Sequence, residues 1–470
     1  MGNHPNFSGL GPGGGLFGFG NNVLPYKPKK LVSFYNEMQN IAKERTRLGM
    51  PLLQIAEGTH GFMCSYATIF PEGPALGSTW NRDLIYKVYQ TIAREARSVG
   101  VHALCTLVIE PNIDPRLGRN AEAYSEDPFI CSEYARAIVD GIQGTNISAP
   151  DKAISVLCHF PGQSQGFAGL EFNAMEMSER SFRNVFLPPW EAGIKQSGAW
   201  MVMATHPSFD IFGGVPAHAS KEILNGLLRD ELNFQGTVLG EGNSVRTILW
   251  KKVAENQKHA GQLALNAGLD VSISLESGFM EDMYRSVEEG SVSMDKIDQA
   301  VGRVLKLKFM LGLFENPYVD AKKAEKTMHS PKAQALALQA AREGIILLKN
   351  DDNLLPLSKN LKSIAVIGPL ADAPRDQLGD YTPKYIRHEI ITPLKGIQTK
   401  MAQGTNIRYV KGVEVLDPEF DQIEDAVAAA KNAEVALLFV GETAKCVGEK
   451  DDVASLDLLG RQRDLSRRRF

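Results

Sequence analysis

Three groups of polar residues follow short apolar runs that are typical of buried strands. Glu57 lies in Glu57-Gly-Thr-His-Gly61, His159 in Cys158-His-Phe-Pro-Gly162, and Glu241 in Gly240-Glu-Gly242. A carboxylate in such a place can attack an electrophilic carbon or exchange a proton, and an imidazole can bind hydroxyl groups. What these groups do together depends on the elements that position them.

Those elements alternate between strand-like and helical patterns over about 270 residues. Strand-like runs occur near residues 103–109, 154–157, 200–203, 236–239 and 271–273, and helical stretches near 31–47, 82–98, 132–143, 178–196, 221–231 and 251–267. Repeated strand and helix units predict a parallel β/α barrel or a doubly wound sheet. In a barrel, the loops after the strands carry the active site, which is where the three polar groups fall.

The pattern changes after a predicted helix at residues 295–313. Asn316-Pro317 is a helix stop signal, and residues 316–331 are typical of a linker. We therefore predict a barrel over residues 1–315, a linker over 316–331 and an α/β sandwich domain over 332–470. The second domain has predicted strands at 344–349, 363–367 and 435–440 and predicted helices at 332–343 and 420–432. These are too few strands to close such a sheet, so we expect it to be incomplete at its C-terminus.

Composition excludes several classes of protein. The 470 residues carry a formal net charge of -4, with Lys and Arg spread along the chain, which argues against a nucleic-acid partner. No apolar run approaches the roughly 20 residues of a membrane span, and no signal segment is evident, so we expect no membrane partner and a soluble chain as given. The five cysteines are scattered and form no CxxC pair. Neither a metal site nor an organic cofactor is predicted.

Taken in order, the motifs resemble glycoside hydrolase family 3. Besides the three groups above, the resemblance rests on Ile113-Asp-Pro-Arg-Leu-Gly-Arg119, Glu122-Ala-Tyr-Ser-Glu-Asp-Pro128, Ser178-Glu-Arg180, Leu347-Leu-Lys-Asn-Asp-Asp-Asn-Leu-Leu-Pro-Leu357 and Val440-Gly-Glu442. It extends from about residue 13 to residue 465 and implies a chain truncated at both ends. The implied fold is α/β, a TIM-like barrel followed by a partial αβα sandwich. The implied activity is that of a retaining, exo-acting β-glycosidase of the β-glucosidase or β-xylosidase type.

The resemblance also assigns catalytic roles. Retaining glycosidases use one carboxylate as nucleophile and a second as acid/base, about 5–5.5 Å apart. Glu241 stands at the nucleophile position, where the family normally has Asp. The acid/base is expected from the second domain, as Glu449 or alternatively Glu442.

Sugar-binding positions carry over in the same way. The resemblance implies that Glu57, Arg119, Cys158, His159 and His206 contact the substrate. Two of these depart from the family pattern, because Cys158 replaces a lysine and His206 replaces a tyrosine that many members have. Loss of the lysine removes a charged hydrogen bond worth roughly 1.5–3 kcal/mol.

Two alternatives stay open within the family. Glu241, Cys158 and the short second domain are also compatible with a weak or inactive carbohydrate-binding protein. A β-N-acetylglucosaminidase would carry an Asp-x-His pair, and no such pair lies between His159 and Ser178. An oligosaccharide or β-glycoside is the expected partner. The sugar, its linkage and the oligomeric state are left open, as is the compartment, although family members are often periplasmic or secreted.

Overall fold

The computed structural model describes residues 15–17, for which only the backbone is considered, and residues 26–274, 276–386 and 390–468. Contacts divide the chain into two units. The first contains the described parts of residues 1–114, 122–344 and 381–387. The second contains those of residues 115–121, 345–380 and 388–470. A seven-residue segment from the N-terminal half of the chain therefore belongs to the second unit.

The first unit is built on seven parallel strands that pair in the order of the sequence. They are β1 Gly15–Phe17, β2 Leu53–Glu57, β3 Ala103–Val108, β4 Ile154–Phe160, β5 Met201–Ala204, β6 Thr237–Gly240 and β7 Val271–Ser272. All seven carboxyl ends lie on one edge, because the strands are parallel. Parallel strands in sequential order with helical crossovers are the pattern of a TIM-like barrel.

Helices lie between successive strands of this sheet, and further helices follow β7. The longer ones are Pro28–Arg45, Arg82–Val99, Pro128–Gln143, Gln257–Ala267, Met294–Met310 and Pro331–Glu343, and the shorter ones are Gly73–Gly77, Ser244–Trp250, Glu281–Glu288 and Ala321–Thr327. Wider helical turns form Phe182–Phe186, Ala192–Gln196 and Glu222–Glu231, with α-helical turns at Glu179–Ser181 and Leu187–Glu191. Short single turns lie at Phe167–Gly169, Asp210–Phe212, Ala217–Ala219 and Ser277–Phe279, and a further turn at Gly118–Glu122 falls almost wholly in the segment that belongs to the second unit.

Alternation along the strands sends side chains to two separate cores. Leu53, Ile55, Cys105, Val156 and Met203 belong to an inner cluster, which also receives Leu307, Leu311 and Leu313 from the region of the helix Met294–Met310. Residues of the opposite parity, such as Ala56, Leu104 and Leu157, pack against the surrounding helices. Burial on both faces explains why the strands are continuous apolar runs rather than alternating ones.

Two buried carboxylates tie the first unit together. Asp270, whose side chain is 1% exposed, accepts hydrogen bonds from Arg229 Nη2 (2.9 Å), Arg303 Nη1 (2.7 Å) and the Val238 amide (2.8 Å). The Asp270 carboxylate thus compensates two cations just before β7 begins. Removal of one member of such a buried set leaves an uncompensated charge.

The second of these carboxylates, Glu95, is fully enclosed. It accepts hydrogen bonds from the Thr68 amide (2.9 Å), the Thr68 hydroxyl (2.8 Å) and the His329 amide (2.8 Å). Burial raises the pKa of Glu95 to about 7, because the loss of hydration outweighs these hydrogen bonds. Glu95 therefore connects the helix Arg82–Val99 to the segment near residue 329.

The stretch expected as a linker contains a helix. Asp320 caps Ala321–Thr327 by accepting a hydrogen bond from the Lys323 amide. Val319 exchanges two hydrogen bonds with the Asn36 side chain, at 2.9 and 3.0 Å, and Ala324 is fully buried. Residues 319–324 and the helix Pro331–Glu343 therefore belong to the first unit, whereas the sequence predicts a linker and the start of the second domain in this stretch.

The second unit has a three-stranded parallel sheet with helices on both faces. Its strands are β8 Ser363–Ile367, β9 Asn406–Val410 and β10 Val435–Leu438, in the order β10-β8-β9. Its helices are Pro393–Lys400, Ile423–Lys431 and Gln462–Arg467, with single turns at Asp351–Asn353 and Asp376–Leu378. Ala365 and Ile367 face the cluster with Ile423 and Leu465, whereas Ile364 and Val366 face Leu394. The predicted fold class, a TIM-like barrel followed by a smaller α/β domain with αβα layering, is confirmed.

One predicted strand of this unit is absent. Residues 345–350 have no regular secondary structure, and the side chains of Ile345 and Leu348 are 77% and 91% exposed. The apolar sequence suggested a buried strand. A strand needs a hydrogen-bonding neighbour, and no strand in the described part of the chain pairs with this run. The strand expected at residues 344–349 is therefore wrong for this structure.

Candidate active site

Glu241 follows β6 directly, at the carboxyl edge of the parallel sheet. Its amide donates to the Ala204 carbonyl of β5 at 3.3 Å, and its own carbonyl accepts from the Ser244 amide at 2.9 Å. A Cβ added to Gly240 would lie 2.4 Å from Ser244 Oγ, so glycine is required there by close packing. A Cβ on Gly242 would meet nothing within 4 Å. Close packing therefore fixes the backbone before Glu241, and the two main-chain hydrogen bonds hold Glu241 itself.

The carboxylate of Glu241 is held among polar groups. The residue is 6% exposed, and Oε2 accepts a hydrogen bond from the His206 amide at 3.2 Å. The Nε2 atom of His206 lies 3.6 Å from Oε2, and Nε2 of His159 lies 3.5 Å from Oε1. Glu241 is thus a buried carboxylate with a backbone donor on one oxygen and an imidazole nitrogen near each oxygen.

His206 follows β5 and is fixed by three neighbours. Its Nδ1 atom lies 2.8 Å from Thr247 Oγ1. Its ring packs edge-to-face against Phe172 and against His218, with centroid distances of 4.9 and 5.1 Å. The imidazole therefore has a defined orientation toward Glu241.

His218 was missed by the sequence analysis. It is fully buried, and its Nε2 atom lies 2.8 Å from the Ala204 carbonyl oxygen. Burial, reinforced by the neighbouring His206, holds the pKa of His218 well below its ordinary value, so its ring is neutral. The sequence signal that could have revealed it is that both His206 and His218 follow the strand predicted at 200–203.

Cys158 and His159 lie near the end of β4 and have different surroundings. The thiol of Cys158 lies in the inner barrel cluster and donates to the Val156 carbonyl at 3.6 Å. The pKa of the neighbouring Cys105 is raised, first because its thiol hydrogen-bonds Cys158, then by burial and by the charge on Glu57. Cys158 and Glu57 are thus both near Cys105.

The loop after His159 is held by a buried glutamate that the motifs did not reveal. Glu110 is 1% exposed, and its Oε1 accepts hydrogen bonds from the amides of Gln163 and Ser164 at 2.5 and 3.0 Å. The Ser164 hydroxyl donates to the Pro111 carbonyl at 3.0 Å. Glu110 therefore connects the end of β3 to the loop that follows β4.

Arg119 and Glu449 form a pair inside the second unit. Nη1 of Arg119 lies 3.6 Å from Oε1 of Glu449, and the side chains are 2% and 51% exposed. Arg119 was expected to contact sugar and Glu449 to act as acid/base. The structure places the guanidinium beside that carboxylate, where it can hold the carboxylate in place and interact with it electrostatically.

Main-chain contacts fix the segment that carries Arg119. The Gly118 amide donates to Asp452 Oδ1 at 2.9 Å, and the Gly448 amide donates to the Gly118 carbonyl at 2.8 Å. The Val453 amide donates to the Arg116 carbonyl at 2.8 Å. A Cβ on Gly118 would lie 2.6 Å from the Gly448 carbonyl oxygen, so only glycine fits. These contacts hold the chain immediately before and shortly after Glu449.

Glu442, the alternative acid/base, has different surroundings. It is exposed, and no hydrogen bond or ion pair to its side chain occurs among the residues that the structure describes. The chain around it is anchored, since Gly441 exchanges two hydrogen bonds with the Gln462 side chain (2.9 and 2.8 Å) and Thr443 donates to Asp376. Glu449 therefore has an arginine beside it, whereas Glu442 has no such contact among the described residues.

His206, His218 and Glu241 also form a group with metal-ligand character. One ligand atom from each lies within 4.8 Å of the others, and all three residues are buried. No metal site is predicted from the sequence, because the cysteines are scattered and form no CxxC pair. Two imidazoles and a carboxylate match the ligand types that zinc prefers.

Comparisons with known proteins agree with the fold and with the motifs. Residues 12–307 match the glycosyl hydrolase family 3 N terminal domain, and residues 345–468 match the C-terminal domain of the same family. The chain belongs to glycosyl hydrolase family 3. The resemblance stated from the motifs is thereby confirmed.

Individual relatives are β-xylosidases and β-glucosidases by name. The chain is 35% identical to a β-xylosidase of Formosa agariphila, covering 91% of this chain and 62% of that protein. It is 30% identical to the periplasmic β-glucosidase of Salmonella typhimurium, covering 91% and 58%. A solved β-glucosidase from Listeria innocua in complex with glucose superposes with a TM-score of 0.84, at 31% identity, over 92% of this chain and 58% of that one. The chain thus spans about three fifths of the length of these relatives.

Within this family 3 chain, the predicted site residues fall into two groups. In the first unit, His159 and His206 meet Glu241, while Glu57 and Cys158 lie near Cys105. In the second unit, Arg119 meets Glu449. Their roles with substrate remain predictions. No helix in the described part of the chain is long and apolar enough to cross a membrane.

Proposed function

We propose that this family 3 protein is a retaining, exo-acting β-glycosidase that removes terminal β-linked xylose or glucose. The observation that carries the proposal is the setting of Glu241: a buried carboxylate at the carboxyl edge of a parallel barrel, hydrogen-bonded by the His206 amide and flanked by two imidazoles. The names of the relatives support the substrate class, since they include β-xylosidases and β-glucosidases.

In the proposed reaction, Glu241 attacks the anomeric carbon of the terminal sugar. A bond forms between its carboxylate oxygen and that carbon, while the bond to the leaving oxygen breaks. The leaving oxygen takes the acidic proton of Glu449. Water then attacks the glycosyl ester, gives a proton back to Glu449 and releases Glu241, so the sugar keeps its configuration. His159 and His206 orient the attacking carboxylate and provide donors for sugar hydroxyls.

Arg119 has a supporting role in this proposal. Its guanidinium, buried beside Glu449, holds the carboxylate that must alternate between the acid and its conjugate base. Because Arg119 is already engaged by Glu449, we assign it to positioning that residue rather than to binding the sugar as its main role. Glu57 remains a candidate for sugar hydroxyls, since a half-buried carboxylate at the end of β2 lies on the same edge as Glu241.

The nucleophile assignment is tested with Glu241→Gln on p-nitrophenyl β-xyloside and β-glucoside. The amide keeps the shape and accepts the His206 hydrogen bond, but it cannot attack, so we expect kcat to fall by at least about 10⁴-fold. Glu255→Gln, at an exposed position of the same unit, is the matched control and should leave kcat unchanged. A 2-deoxy-2-fluoroglycoside should add one sugar mass to the peptide containing Glu241. Activity retained in Glu241→Gln, or a label on another residue, refutes this assignment.

The acid/base assignment is tested by leaving-group dependence. Loss of the proton donor slows substrates with poor leaving groups far more than dinitrophenyl glycosides, whose leaving group needs no proton. We expect this pattern for Glu449→Gln, with azide restoring turnover of the activated substrate. Glu442→Gln is the matched comparison and should behave like the parent. The reverse result would assign the role to Glu442. Saturable sugar binding without turnover in the parent protein would instead favour a carbohydrate-binding protein.

A further inference from the structure

The side chains around Glu241 include a third possible metal ligand, His218, which the proposed glycoside cleavage does not use. His206, His218 and Glu241 each direct one nitrogen or oxygen atom into a common region in which these atoms lie within 4.8 Å of one another. All three side chains are buried, with His218 fully enclosed. Glu241 and His206 have roles in the proposed reaction, but no step of that reaction uses His218.

The opposite ring nitrogens of both histidines are fixed. The Nε2 atom of His218 lies 2.8 Å from the Ala204 carbonyl, which can only accept, so Nε2 carries the proton and Nδ1 carries a lone pair. That buried Nδ1 has no hydrogen-bond partner among the residues that the structure describes. In His206, Nδ1 contacts Thr247 Oγ1 and Nε2 lies 3.6 Å from Glu241. Metal-binding histidines commonly have this arrangement, with the outer nitrogen held by a carbonyl or another polar group.

We propose that His206, His218 and Glu241 form a binding site for a divalent transition metal ion, Zn²⁺ above all, and that the bound ion inhibits the enzyme. Two neutral imidazoles and one carboxylate, with water in the fourth position, form a ligand set that zinc accepts, whereas Mg²⁺ and Ca²⁺ prefer oxygen ligands. Ligands of a tetrahedral zinc ion lie about 3.3 Å apart, given bonds of about 2.0–2.1 Å. The three ligand atoms therefore need to move by only roughly 1 Å or somewhat more, through side-chain rotation, to coordinate a zinc ion.

A metal ion bound to Glu241 would inhibit the enzyme because it occupies the lone pair that attacks the sugar. The inhibition, unlike the metal site, rests on the proposed function. A carboxylate oxygen that donates its lone pair to zinc cannot also attack an anomeric carbon. Substrate and metal therefore compete for Glu241, and each weakens the binding of the other by the same factor. Zinc should raise KM without lowering kcat, and a covalently bound fluoroglycoside should block metal binding.

Metal binding can be measured without any turnover. The protein is freed of metal with a chelator, exchanged into buffer and titrated with Zn²⁺ against a chromophoric chelator. Co²⁺ is used in parallel, because its visible absorption reports tetrahedral coordination by nitrogen and oxygen. We expect one ion per chain. Glu241→Gln and His218→Gln should each weaken binding by about 10-fold or more and abolish the tetrahedral Co²⁺ spectrum. His259→Gln, at another histidine of the same unit, is the control and should bind like the parent.

Each outcome has a definite meaning. Absence of saturable binding in the parent, or unchanged binding in both Glu241→Gln and His218→Gln, overturns the metal site. If the buried His218→Gln variant does not fold, Glu241→Gln and the Co²⁺ spectrum of the parent decide the question. Metal binding that depends on Glu241 in a protein without glycosidase activity would retain the site and reject the proposed function. Glycosidase activity insensitive to zinc at concentrations that saturate the site would reject inhibition.

Discussion

Shortening Glu241 to aspartate perturbs the proposed nucleophile by one methylene group. The family normally has Asp at this position, so a simple expectation is that Glu241→Asp would be neutral or even beneficial. The structure indicates the opposite. The backbone at Glu241 is held by the Ala204 carbonyl (3.3 Å) and the Ser244 amide (2.9 Å), and Gly240 is already packed against Ser244. The backbone therefore cannot advance to compensate for a shorter side chain.

The expected loss of kcat in Glu241→Asp follows from the geometry around the carboxylate. One methylene withdraws the carboxylate by about 1.5 Å, one C–C bond length. The hydrogen bond from the His206 amide, now 3.2 Å, would be lost, as would the 3.5 Å approach of His159. Misplacement of a reacting group by about 1 Å can slow a reaction by about 10²-fold. We therefore expect kcat to fall by 10²-fold or more, about 2.7 kcal/mol in the activation free energy.

The assay is stopped-flow hydrolysis of a dinitrophenyl β-glycoside, which isolates the attack by Glu241 because the leaving group needs no protonation. KM should change little, since most sugar contacts are unaffected. Circular dichroism and thermal unfolding should show that Glu241→Asp folds like the parent. A variant with parental or higher kcat would refute the reasoning, because it would show that the backbone adapts to the shorter side chain.

Three further predictions concern other parts of the molecule. Replacing Arg119 with Met should lower kcat/KM at least about 10-fold for glycosides with poor leaving groups and less for dinitrophenyl glycosides, because it frees the Glu449 carboxylate. Asp270→Asn should lower the free energy of unfolding in urea by about 3–5 kcal/mol, because it leaves two arginines uncompensated, whereas Asp298→Asn on the exposed surface should change it by under about 0.5 kcal/mol. The pKa of Glu95 is about 7 in the folded protein against 4.5 ordinarily, so the native state binds more protons between these values. Stability should therefore fall by roughly 3 kcal/mol as pH rises from 4.5 through 7, and Glu95→Gln should remove that slope; a stability that rises over this range would contradict it.

The fold was largely predictable because its signal is local. Apolar runs at 103–109, 154–157 and 236–239 became β3, β4 and β6, since buried parallel strands need continuous hydrophobic sequence. The run at 344–349 has the same composition yet forms no strand, because pairing depends on a neighbour and not on the run itself. Likewise, the linker composition of 316–331 could not reveal that Asp320 caps a helix packed on the barrel.

The site was predictable where a single residue type follows a strand. Glu241 and His159 were found in this way, and the structure brings them within 3.5 Å. His218 was missed because a lone histidine within a polar loop is most often a packed core residue. The pairing of Arg119 with Glu449 was out of reach, since nothing in the sequence relates positions 330 residues apart.

The short segment that carries Arg119 also affects the order in which the chain can fold during synthesis. The hydrogen bond from Gly118 to Asp452 joins positions separated by 334 residues. At ribosomal rates of about 5–20 residues per second, Gly118 emerges on the order of 20 to 70 s before its partner. During that interval the segment around residues 115–121 has no native contacts with its own unit, while the strands on either side of it are free to pair. The region around Glu449 is thus completed late in synthesis, although one of its segments is made early.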